Sequence, residues 1–170
     1  DPNLVPVVVG LAARSGDAAL YERYVTRKRT SATDDPEEEE RFLFGLTSFE
    51  DPTLVERTLA LTFTDDVRAQ DRAFVLARLL GTRHARLAAW RFVRDQWDAR
   101  VLTMDPMLRQ YVIRGMAQLT PAAIADEVGT FLERHITDET RETTAQAREQ
   151  LHIDAAAAVR IAAELGATLQ

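Results

Sequence analysis

Residues 51–63 read Asp51-Pro52-Thr53-Leu54-Val55-Glu56-Arg57-Thr58-Leu59-Ala60-Leu61-Thr62-Phe63. An aspartate followed by proline is a helix start. The carboxylate accepts from free N–H groups of the first turn, and proline's fixed φ and missing N–H do no harm at the first helical position. Leu54, Val55, Thr58, Leu59 and Phe63 then return every three or four residues, which gives one apolar face at helical period. The same grammar recurs along the chain. Asp34-Asp35-Pro36 precedes Phe42, Leu43, Leu46 and Phe49; Asp105-Pro106 precedes Met107, Leu108, Tyr111, Val112 and Met116; Thr120-Pro121 precedes Ile124, Val128, Phe131 and Leu132. Each repetition predicts a short helix with a packing face.

The intervening stretches fit the same scheme. A helix over about Leu4–Arg14 stops near Ser15-Gly16, and Asp17 caps a second through about Arg29 with Leu20, Tyr21, Tyr24 and Val25 inward. Val7-Val8-Val9 would suit a strand locally, but the segment around it is punctuated like a helix. After a turn at Thr64–Asp66, Val67-Arg68-Ala69-Gln70-Asp71 leads into the apolar positions Phe74, Val75, Leu76, Leu79 and Leu80. Gly81-Thr82 then separates this from the clearest long helix, about Ala85–Val101. One of its faces carries Ala89, Phe92, Val93 and Gln96, the next Trp90, Val93, Trp97 and Val101. The last region, about Asp138–Leu165, is ambiguous near His152-Ile153-Asp154, which reads as loop or helix interior. The fold class that follows is all-α, with eight or nine helices arranged as an α–α superhelix of HEAT-like hairpins and a compact helical bundle as the alternative.

Composition bounds the rest. The 170 residues suit a single domain spanning 1–170, and 46% hydrophobic with 28% charged side chains can fill and cover a core. The absence of cysteine excludes disulfides and thiolate chemistry and leaves the compartment open. A net charge of -6 advertises no basic surface for nucleic acid. No apolar run reaches the roughly 20 residues of a membrane span, and Asp1-Pro2-Asn3 does not resemble the opening of a signal peptide. Neither nucleic acid nor membrane is therefore expected as a partner. The first residue is not methionine, which suits a fragment or processed product. Lys28 is the sole lysine among 21 basic residues.

Chemical motifs are sparse. His84, His135 and His152 fall in different elements, and there is no His-Glu-x-x-His, phosphate loop, dinucleotide fingerprint or nucleophile elbow. Glu37, Glu38 and Glu39 read as a solvated face at a positive helix end, not a metal cluster. Asp65-Asp66 and Asp138-Glu139 read as turns and caps. Trp90 and Trp97 read as core packing, with Arg91, Arg94 and Arg100 partly facing elsewhere. Arg68, Gln70 and Asp71 form the one polar group of interest. A guanidinium makes two directed bonds to a carboxylate and an amide both donates and accepts, so the group suits a helix-entry network, an interdomain junction or a grip on peptide. No catalytic, cofactor-binding or metal-ligating residue is assigned.

These residues carry a resemblance. Gly16-Asp17 followed by Tyr21-Glu22-x-Tyr24, then Leu46-x-x-Phe49-x-Asp51-Pro52-x-Leu54-x-x-Arg57, Val67-Arg68-x-Gln70-Asp71 and Ala89-Trp90-x-Phe92-Val93-x-x-x-Trp97 occur in order. Together they resemble the C-terminal helical domain of the M1-family zinc aminopeptidases, in its puromycin-sensitive and endoplasmic-reticulum aminopeptidase-like branch. The chain departs from that pattern at Gln96, where asparagine is frequent, at Ala85, where glycine is common, and at Asp105-Pro106, which replaces a turn richer in Gly and Phe. The resemblance implies the C-terminal piece of a larger enzyme, a helical wall that docks the catalytic domain of the same polypeptide and helps enclose a peptide-binding cavity. It implies that zinc and catalysis belong to that separate domain, and that Arg68, Gln70 and Asp71 are the family-marked candidates for interdomain order or peptide contact. A free-standing helical interaction module is the competing reading.

Overall fold

The computed structural model describes residues 4–120 and 122–168. Helices begin where the Asp-Pro pairs stand. Helices α1 (Val5–Arg14), α2 (Ala18–Ser31), α3 (Pro36–Leu46) and α4 (Pro52–Leu61) form the first half, followed by α5 (Ala69–Gly81) and α6 (Arg86–Asp95). Then come a π-helical turn (Trp97–Val101), α7 (Pro106–Met116), α8 (Ala122–Arg134), a 3-10 turn (Asp138–Thr140) and α9 (Arg141–Thr168). Among the described residues there are nine α-helices and no strand.

The caps account for these starts. The Asp35 carboxylate accepts from the Glu38 N–H at 3.0 Å, Asp51 from Thr53 at 2.8 Å and Leu54 at 3.2 Å, and Asp105 from Met107 at 2.8 Å. Asp17 caps α2 through the Leu20 N–H at 2.9 Å. Each cap is worth about 1 kcal/mol and sets where its helix begins. The Thr120-Pro121 start falls at Pro121, outside the described residues.

Alternate helices stack. In the chain of contacts α1 meets α3, α3 meets α5, α5 meets α7 and α7 meets α9; α2 lies against α3, α6 against α4 and α5, and α8 against α9. Odd-numbered helices thus make a continuous row and even-numbered ones back it, the two-layer logic of a helical superhelix. Two apolar cores result. The smaller joins Val9, Ala13, Tyr21, Tyr24, Leu46 and Phe49; the larger runs from Leu43 through Leu76, Trp90 and Ile113 to Leu151. Helix α3 borders both, with Leu43 in one and Leu46 in the other. Glycine permits the closest approaches. A Cβ on Gly45 would stand 2.7 Å from the Val9 side chain, and one on Gly115 3.1 Å from the Ala77 Cα across the α5–α7 contact.

Four expectations change. The pattern over 85–101 predicts one helix, but the chain breaks at Gln96 and widens. The Gln96 carbonyl keeps its i−4 bond from Arg100 at 2.9 Å but also accepts from Val101 at 3.2 Å, and the Trp97 carbonyl accepts from Leu102 at 2.8 Å, both i−5 bonds of a widened turn. No proline or glycine marks this; the wide turn keeps Trp97 and Val101 both buried. The inward stripe of α7 is Arg109, Val112, Ile113 and Met116, while Met107 is 71% exposed and Tyr111 lies at the surface. Helix α9 runs unbroken through His152-Ile153-Asp154, which settles that ambiguity in favour of helix. Glu39 is not on a solvated face but buried, for a reason that the polar contacts of α3 supply.

Candidate functional site

The polar group foreseen around Arg68 is larger than its sequence neighbours. The Arg68 Nε–H donates to the Asp71 carboxylate at 2.7 Å, and its Nη1 stands 3.6 Å from the Glu39 carboxylate. The other oxygen of Glu39 lies 3.7 Å from the Lys28 ammonium, which donates in turn to the Asp66 backbone carbonyl. Lys28, Glu39 and Asp71 are 3%, 4% and 6% exposed. Two cations and two carboxylates therefore alternate in a ladder of zero net charge, dry at Lys28, Glu39 and Asp71 and open to solvent at Arg68, whose side chain is 41% exposed, and it ties α2, α3, the 64–68 turn and the start of α5 together. Dehydrated charges persist only when paired in this way.

The surroundings reinforce the ladder. Arg29 grips the Asp66 carboxylate through Nη2 at 2.6 Å and Nε at 3.2 Å. That hydrogen bond, with the charge of Arg29 behind it, holds the Asp66 carboxyl below its ordinary range despite partial burial. Ser31 donates to Glu38 at 2.5 Å and Arg27 donates to the same carboxylate at 3.0 Å, so the Glu38 pKa is also lowered, chiefly by the serine. Asp71, hydrogen-bonded to Arg68, raises the guanidinium's hold on its proton.

Of the three residues singled out in the sequence, the structure brings Arg68 and Asp71 together and leaves Gln70 apart. Gln70 is exposed and lines a separate groove with Phe63, Arg72, Arg100 and Met104. Sequence reading missed Lys28 and Glu39, yet a signal was available. Lys28 continues the buried positions Tyr21, Tyr24 and Val25 at helical spacing, and Glu39 stands one turn before Leu43 on the stripe that ends at Leu46. Arg109 was missed in the same way; buried on the face of Ile113, it donates to the Leu102 carbonyl at 2.6 Å.

Trp90 and Trp97 are core residues, 1% and 2% exposed. Both pack edge-on to Phe131 with ring centroids at 5.1 Å, and His135 stacks on Phe131 at 4.0 Å with its Nδ1 2.8 Å from the Phe131 carbonyl. His84 lies 3.9 Å from Glu50, and His152 is exposed on α9. The three imidazoles are thus scattered, and among the described residues no group of three or more His, Asp or Glu side chains is placed to hold a metal ion. This donor set does not fit a zinc centre.

Arg94 spans to Glu127 at 2.9 Å and also meets Asp95, which ties α6 to α8. Among the described residues no helix is long and apolar enough to cross a membrane.

The fold and its buried polar ladder define the class: an all-helical stack of hairpins whose successive pairs are locked by apolar cores and one internal ionic chain. The chain belongs to the ERAP1-like C-terminal domain family, whose model matches residues 1–153; this is the C-terminal domain of M1 aminopeptidases. Similar proteins include "Probable aminopeptidase 2" of Sulfurisphaera tokodaii, 34% identical over 99 residues, covering 58% of this chain and 12% of that protein. "Aminopeptidase 2, mitochondrial" of Saccharomyces cerevisiae is 28% identical over 154 residues, 88% of this chain and 16% of the relative. "Aminopeptidase M1" of Arabidopsis thaliana is 26% identical over 151 residues, 88% of this chain and 17% of its own length. The chain therefore spans less than a fifth of the curated relatives it matches.

Proposed function

We propose that this chain is the non-catalytic helical wall of a larger zinc aminopeptidase, one domain over 1–170 that docks against a catalytic domain of the same polypeptide and helps enclose the cavity holding the peptide substrate. The observation that carries this reading is the family match over residues 1–153 on a chain whose described residues bring no three His, Asp or Glu side chains together around a metal site. Zinc, the attacking water and the grip on the peptide's amino end belong to the other domain. This one supplies shape. A HEAT-like row of hairpins offers a curved, stiff surface, and the ladder through Lys28, Glu39, Arg68 and Asp71 fixes the first hairpin against the next. Arg68 and Asp71 then serve interdomain order by holding that boundary, while Gln70 stands exposed beside it.

The test compares the purified 170-residue chain with the product of the full reading frame. With zinc present, the chain alone releases no amino-terminal residue from peptides and the longer protein does. In the longer protein, Arg68→Ala combined with Asp71→Asn lowers kcat/KM for peptides more than for a single-residue chromogenic substrate. Peptidase activity in the chain alone, or unchanged domain docking and peptide processing in the double variant, would overturn the reading.

A further inference from the structure

The groove lined by Gln70 carries an inference that does not depend on the parent enzyme. It encloses about 590 Å³ between the 63–69 turn, the π-helical turn and the first residues of α7. Two guanidiniums border it, with Arg100 Cζ 5.7 Å and Arg72 Cζ 6.0 Å from the centroid of the Phe63 ring. Arg72 is held in place by donating to the backbone carbonyls of Val67 and Thr64, both at 3.2 Å. Arg100 is aimed by the widened turn at Trp97–Val101, a backbone form found often at functional positions. Neither makes an ion pair among the described residues, although the chain has 27 carboxylates against 21 basic groups. The one acidic side chain lining the groove, Asp105, is engaged in capping α7. Two like charges bordering one ring, neither of them in an ion pair among the described residues, leave room for a further counter-charge. The Gln70 amide adds a donor and an acceptor that no other group among the described residues uses, and Phe63, Met104 and Leu108 provide an apolar floor.

We infer that this groove binds an acidic peptide segment, with the carboxylate of a Glu or Asp side chain between Arg72 and Arg100, the flanking backbone amide on Gln70, and an apolar neighbour against Phe63 and Met104. Planar guanidiniums suit a carboxylate, and the apolar floor with its exposed amide suits extended polypeptide more than a bare inorganic anion.

The probe is the capped peptide acetyl-Ala-Leu-Glu-Leu-Ala-amide, titrated into the 170-residue chain beside its Glu→Gln counterpart and inorganic phosphate. Methionine-methyl NMR supplies the reporter. The chain has three methionines, of which Met104 lines the groove and Met116 is buried in the core. The expected result is a Met104 methyl shift with Met116 unmoved, about tenfold weaker binding of the Gln peptide, and no displacement by equimolar phosphate. Arg100→Ala and Gln70→Ala, both exposed positions, each weaken the Glu peptide severalfold, while Arg91→Ala on exposed α6 surface leaves it unchanged. Equal binding of the two peptides, displacement by phosphate, a silent Met104 methyl, or no binding at millimolar peptide would each overturn the proposal.

Discussion

Glu39 is the pivot of the buried ladder because its two oxygens answer two different cations, Lys28 and Arg68. Removing it leaves the Lys28 ammonium dry with only the Asp66 carbonyl, and an uncompensated buried charge costs about 3–5 kcal/mol. Glu39→Ala should therefore lower the urea midpoint sharply, while Glu37→Ala, exposed on the same helix, should leave it nearly unchanged. A joint Lys28→Met and Glu39→Leu substitution removes both charges at once and should recover much of the loss. Tyr21 offers a pH signature. Burial pushes its phenol up from the ordinary value, with the Thr58 hydroxyl at 3.1 Å and the Arg57 guanidinium over its ring opposing in part. A group whose folded pKa is raised contributes stability that is complete below its unfolded value, about 10 for tyrosine, and lost as pH rises through the folded one. Denaturation measured against pH should show an alkaline decline above about pH 10. Tyr21→Phe should flatten part of it and cost about 1 kcal/mol at neutral pH through the lost hydrogen bond.

Helix by helix, glycine separates contact from slack. Gly115 lies buried where α7 crosses α5, and a Cβ there would meet the Ala77 backbone at 3.1 Å. Gly129, inside α8, would place its Cβ in open space, with nothing within 4 Å. The same substitution should therefore have opposite signs. Gly129→Ala should stabilise by roughly 0.5–1 kcal/mol through helix propensity. Gly115→Ala should destabilise, because forcing apart packed helices costs typically about 1–3 kcal/mol and exceeds that gain. Thermal melts of the two variants, each beside the parent chain, check both signs. The π-helical turn answers to a different demand. Neither Gln96 nor Ala99 breaks a helix, so nothing local announced the break; it follows from seating Trp97 and Val101 in one core.

Across the entire molecule, what could be read from residues alone was whatever has a short-range cause. Asp35, Asp51 and Asp105 cap helices wherever they precede proline, so the starts were legible. The stripe Leu54, Val55, Thr58 and Leu59 was legible for the same reason. The candidate site was legible in part. Arg68 and Asp71 are three residues apart and meet within one helical turn, whereas Lys28 and Glu39 reach them only through tertiary packing. Glu39 reads as solvated because an isolated charge belongs in water, and its partners Lys28 and Arg68 stand in other elements. Met107 failed for the converse reason: an oily residue at helix start need not face inward.

The row of odd-numbered helices, each touching the next, also bears on how the chain acquires its shape. Adjacent hairpins can collapse early, since little loop entropy stands between them and their first contacts. The ladder is different, because Lys28, Glu39 and Asp71 must shed water together while the group spans from α2 to α5. Assembly of this molecule should thus begin at many places and finish at one, with the seam between its two oily cores drying last.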